Sequence, residues 1–192
     1  MTVQIWKVSP KYDSSKLDND TIADRIDVYA DRIQGWLIDC GHILNQHEHA
    51  GFGVLNMAFS YFEGYSSFLR GEDSEKQGKT FFEEAIYSVI PDLQQFSEKT
   101  RSEIVKILWK DGRNGLFHIG MSRRRIALLD GSHVFACSLD EQQRVVAVFI
   151  NRHGIIKAIE DHHHRYVERL RDPNEIDLRN NFERAWQILH SL

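Results

Sequence analysis

The sequence predicts a mainly α protein, a helical bundle of about six helices that carries a small antiparallel β insertion of about three strands. Three observations predict it. Apolar residues recur at every third or fourth position through much of the first 110 residues, the period drops to two or to β-branched runs between 125 and 151, and the helical period then returns. At 192 residues the chain suits one domain with one core, divided into a helical bundle (20–120), a strand insertion (125–151) and closing helices (152–190).

In chain order, Ile22, Ile26, Tyr29, Ile33, Trp36, Cys40 and Ile43 alternate by four and three, which lays one apolar stripe along a long first helix. Thr21 and Asp24 supply its cap, and "AGFG" turns the chain into a second helix with Leu55, Phe59, Phe62, Tyr65 and Leu69 on one side. A third helix runs from about Thr80 until Pro91 stops it, and a fourth opens at the capping box Thr100 to Glu103. Strand patterns follow in "RIALLD", "SHVFACSL" and "RVVAVFIN", with Asp130-Gly131 as a hairpin turn between the first two. The segment "VQIWKV" near the N-terminus is a further edge-strand candidate. Two helices, 152–171 and 173–190, close the chain, the second capped by Asp172 with Pro173 in its first turn.

Composition removes several function classes. Hydrophobic residues at 42% and charged residues at 27% describe a chain that folds, and no apolar run reaches the roughly 20 residues of a membrane helix. "MTVQIWKVSP" lacks the order of a secretory signal, so the expected location is the cytoplasm, with no membrane partner. A net charge of -4 argues against a protein that coats nucleic acid indiscriminately. Cys40 and Cys137 are expected to pack in the core. Walker, dinucleotide and nucleophile-elbow signatures are missing.

The densest chemistry lies in "RNGLFHIG" (113–120), at or just past the expected end of the fourth helix. Asn114 and His118 stand four apart, on one helical face, where the amide can fix the imidazole tautomer. Arg113, five residues from His118, offers a fork of donors to a phosphoryl oxygen, and a histidine titrating near neutrality moves protons. Gly112 and Gly115 weaken a helix by about 1 kcal/mol each against alanine, a penalty that calls for a reason.

These residues resemble the Arg-x4-6-His signature of the HEPN superfamily, in which a polar residue, often Asn, follows the Arg. The helical bundle, the short strands after the motif and the amphipathic helix "HGIIKAIEDHHHRYVERLRDP" fit the same resemblance. It implies a metal-independent endoribonuclease of toxin or defence type that cuts single-stranded RNA and leaves DNA alone. It also implies a homodimer with two motifs facing each other and no cofactor, and it leaves an antitoxin protein open as a further partner. Arg113 would then stabilise charge on the scissile phosphate, Asn114 orient the site, and His118 act as acid or base. A second match to the bare spacing, Arg184 to His190, lacks both the polar neighbour and the glycines.

Two other readings of the motif stay open. In one, Arg113 complements the C-terminal dipole of the fourth helix, a glycine stops it and His118 packs. In the other, the same fold binds RNA, a nucleotide or a protein without cutting. Arg123, Arg124 and Arg125, just beyond the motif, are expected to guide RNA, the alternative being a solvated loop. "QHEH" (His47, His49) and "DHHH" (His162, His163, His164) raise a metal-dependent hydrolase as a third class, although consecutive histidines on a helix point about 100° apart. The expected metal set is therefore none. The series Phe52, Phe59, Phe62, Tyr65 and Phe68 reads as core or dimer interface.

Overall fold

The computed structural model describes residues 5–190. Six helical rods and a three-stranded sheet enclose one continuous apolar cluster. The first rod joins α1 (Ile22–Arg32) to α2 (Asp39–Asn45) through a π-helical segment, Ile33–Ile38. It is followed by α3 (Gly51–Arg70), α4 (Gly78–Val89) and a rod made of α5 (Glu98–Ile107), a second π-helical segment Leu108–Arg113, and α6 (Asn114–Ile119). Strands β1 (Ile126–Leu128), β2 (Phe135–Leu139) and β3 (Val145–Ile150) lead to α7 (Arg152–Arg171) and α8 (Ile176–His190).

The centre is α3, against which α2, α4, α7 and α8 all pack. It is buried on more sides than one stripe requires: Tyr61, Ser66 and Ser67 are covered as well as Leu55, Phe59, Phe62, Tyr65 and Phe68. Rings from α3 meet rings from its neighbours, as where Phe62 stands edge-on to Phe82 at 5.4 Å and Phe68 lies against Phe182 at 5.3 Å. Such pairs add about 0.5–1.5 kcal/mol to plain burial. Phe52, at the start of α3, is exposed.

The stripe predicted for the first rod holds for one half and fails for the other. Ile26 and Tyr29 are buried, but Trp36 is 51% and Ile43 57% exposed. The π-helical segment is the reason. Its wider turn takes one extra residue, which rotates everything after it by about 100° and moves burial onto Ile38, Gly41 and Asn45.

Caps follow the sequence in part. Thr21 accepts from Asp24 N at 3.2 Å as expected. On α5, however, Ser97 is the cap, accepting from Thr100 N at 3.2 Å. Glu103 accepts instead from Val145 N at 2.9 Å, tying this helix to β3. Asp172 accepts from Asn174 N in a turn, and α8 begins only at Ile176. Asn151 caps α7, its Oδ1 taking His153 N and Gly154 N, each at 3.0 Å, while its amide donates to Gly131 O at 2.6 Å. Asn151→Ala is expected to cost about 1–2 kcal/mol, read as a lower denaturant midpoint at unchanged slope.

The sheet is mixed. β2 pairs antiparallel with β3, as predicted, but β1 runs parallel to β3 on its other side, giving the order β1-β3-β2. Asp130-Gly131 therefore makes no hairpin, because β1 and β2 are not neighbours, and Gly131 lacks the positive φ such a turn needs. The hairpin joins β2 to β3. Asp140 Oδ1 accepts from Gln142 N and Arg144 N, both at 2.9 Å, and Gln143 takes φ 60°. Of "VQIWKV", residues 3 and 4 lie outside the described residues, and the rest forms only a bridge from Lys7 to Asp13, apart from the sheet.

Candidate functional site

Arg113, Asn114 and His118 lie inside the rod that runs from α5 to α6, Arg113 closing the π-helical segment and His118 in the last turn of α6. Both glycines of the motif have a packing reason. A Cβ on Gly112 would come within 2.9 Å of the buried Phe59 ring. After α6 ends at Gly120, whose φ is 70°, the chain doubles back, and a Cβ on Gly115 would meet Met121 O at 2.8 Å. Arg123 N holds that return segment by donating to Asp111 O at 2.9 Å. Gly115→Ala is expected to cost roughly 1–3 kcal/mol through this overpacking, measured as a drop in melting temperature.

Arg113 is held on three sides. Its Nε and Nη2 donate to the two carboxylate oxygens of Glu63 on α3, at 2.6 and 3.1 Å. Its guanidinium sits over Phe117 at 4.5 Å and Trp109 at 5.1 Å, and Nη1 reaches Asn114 Oδ1 at 3.4 Å. A guanidinium has five N–H groups, and the carboxylate takes two of them. Asn114 takes a third, and one N–H on each of Nη1 and Nη2 remains as a second fork.

The expected amide to imidazole contact is not made. Asn114 points its oxygen at Arg113, and His118 has no hydrogen bond among the described residues. His118 is exposed, 6.2 Å from the Phe117 ring, in a patch where Phe117 is 63%, Ile119 54% and Met121 58% exposed. Three large apolar side chains so gathered in water stand apart from the singly scattered ones of an ordinary protein surface.

The three arginines beyond the motif divide. Arg125 pairs with the buried Asp111, anchoring the start of β1 to the π-helical segment. Arg123 and Arg124 are exposed, with no side-chain partner among the described residues. Arg125 also lines a cleft of about 540 Å³ with Lys106, Lys110 and Arg144, opposed there by Glu103 and Asp140. Glu63, fifty residues before Arg113, carries no sequence signal of its role. Lys106 and Lys110, exposed four apart on one rod, could have been found by charge spacing.

The histidine clusters go elsewhere. Among the described residues no three of His, Cys, Asp and Glu stand close enough to hold a metal ion. His162 is buried between Tyr61 Oη at 2.9 Å and Ser88 Oγ at 3.3 Å, His163 reaches Ala30 O at 3.2 Å, and His164 faces Gln34. Burial pushes the His162 and His163 rings down to about 4, helped at His162 by the Arg165 charge and opposed at His163 by the Ala30 carbonyl. Both cysteines are free and half-buried. No helix among the described residues is long and apolar enough to cross a membrane. Comparison of the chain with family models, curated proteins and solved structures finds no match.

Proposed function

We propose that the chain is a metal-independent endoribonuclease of the HEPN type, acting in the cytoplasm on single-stranded RNA. The observation that carries this reading is His118, an imidazole in water without a hydrogen-bond partner, set in an exposed apolar patch one helical turn from Arg113 and Asn114. Two copies meeting through Phe117, Ile119 and Met121 bury that patch and bring two imidazoles to one groove. One takes the proton of a ribose 2′-hydroxyl as its oxygen attacks the adjacent phosphorus. The other gives a proton to the departing 5′-oxygen, leaving a 2′,3′-cyclic phosphate. Arg113, fixed by Glu63, turns its Nη1 edge to the phosphoryl oxygens, and Asn114 steadies that edge. Arg123, Arg124, Lys106 and Lys110 draw the strand in. An antitoxin protein fits the same apolar patch in the free chain.

Gel analysis of a short single-stranded RNA with chelator present tests this, beside the same strand made as DNA. Cleavage of the RNA alone, with cyclic phosphate ends and a dimer in solution, is the expected result. The second reading is an RNA-binding module without catalysis, and the bidentate hold of Glu63 on Arg113 favours it, since that carboxylate neutralises the cation. Binding of an RNA that stays intact would decide for this module.

A further inference from the structure

Away from the motif, one hollow is lined only by hydrogen-bond donors and a neutral imidazole. A cavity of about 200 Å³ opens beside α7, whose residues His162, Arg165, Tyr166 and Arg169 fall at the spacings of one helical face, with Tyr65 of α3 and Ser88 of α4 opposite. Tyr65 and Glu63 are two positions apart, about 200° around α3, so the cavity faces away from the Arg113 pair.

The hydrogen bonds have a direction. Tyr61, buried, has His162 Nδ1 as its hydrogen-bond partner, so the phenol donates and the imidazole carries its proton on Nε2, facing Ser88 Oγ. Ser88 Oγ, accepting there, keeps its own hydrogen to donate, and Ser88 lines the cavity. Tyr166 is 2% exposed, lines the cavity, and its hydroxyl has no hydrogen-bond partner among the described residues. A buried hydroxyl left so is costly unless a ligand takes it. Arg165 has no ion-pair partner there, and Arg169 gives Nε and Nη2 to Glu175 but keeps Nη1. No carboxylate lines the hollow.

We propose that this cavity is an oxyanion site for a phosphoryl group, as inorganic phosphate or the end of a phosphomonoester. Guanidinium and hydroxyl donors suit that charge, and the one acid that engages them, Glu175 on Arg169, lies outside the lining and leaves Nη1 and all of Arg165. The volume, under the roughly 300–1,000 Å³ of drug-sized ligands, admits little beyond the phosphoryl group. The proposal stands apart from the ribonuclease reading.

Phosphorus NMR titration and thermal melting of the full chain, with chloride replacing phosphate at constant ionic strength, test it. Saturable binding of inorganic phosphate with a rise in melting temperature is expected. Tyr166→Phe and Arg165→Gln should each weaken it roughly tenfold or more, the size of one lost charge-assisted hydrogen bond. Tyr166→Phe should leave the phosphate-free melting temperature level or higher, which a structural role for the hydroxyl would not. Should that variant fail to fold, the exposed Arg165→Gln carries the same readout. A nucleoside 5′-monophosphate that binds tighter than phosphate identifies an ester as the natural source; equal affinity identifies the free ion. No saturation, or saturation unchanged in both variants, overturns the proposal.

Discussion

Lowering the pH from 6.5 to about 4 is expected to remove several kcal/mol of folding stability through His162 and His163 alone. Each ring sits near 4 in the fold against 6.5 in the ordinary state. Above pH 6.5 folded and unfolded chains are both neutral at these positions, and the full stability is present. Below it the unfolded chain takes protons that the folded chain refuses, so stability falls until the folded rings also titrate. The difference corresponds to about 3 kcal/mol for each ring. Denaturant unfolding at pH 7, 6 and 5 reads it before most carboxylates protonate. His163→Gln keeps a donor for Ala30 O and should flatten the profile by about half. A wild-type midpoint that does not move between pH 7 and pH 5 would refute the account.

His118→Ala is expected to lower RNA cleavage by about 10²–10⁴-fold, the usual contribution of a positioned proton-transfer group. Its melting temperature should stay where it is, because the ring is exposed and unbonded. Arg113→Ala is a less clean test. It strands the Glu63 carboxylate, which is 15% exposed, and leaving such an acceptor unpaired costs about 1–3 kcal/mol. The pair Arg113→Ala with Glu63→Ala removes both charges and restores the comparison. An RNA cut equally well by wild type and His118→Ala would end the catalytic reading, whatever the arginine variants do.

The helices were legible because their apolar residues repeat at the helical period and their boundaries carry local chemistry. Pro91 stops α4, Thr21 caps α1, and α7 occupies the span 152–171. The strands were legible from β-branched runs, but their order was not. That β1 lies parallel to β3 depends on a return path set by contacts distant in sequence, and Asp130-Gly131 specified a turn that the sheet order leaves unused.

For the site, composition and spacing located the motif and its two glycines, while the sequence could not say what holds Arg113. Local order of residues determined that a cation, an amide and an imidazole would share one stretch of helix, because covalent spacing and helical pitch leave little choice. Only the tertiary structure decided that Glu63 takes the cation, that the amide turns to Arg113, and that His118 stands in water. Those outcomes come from two π-helical turns that rotate their rods and from a central helix whose packing sets which side chains meet, and neither is encoded in a local pattern.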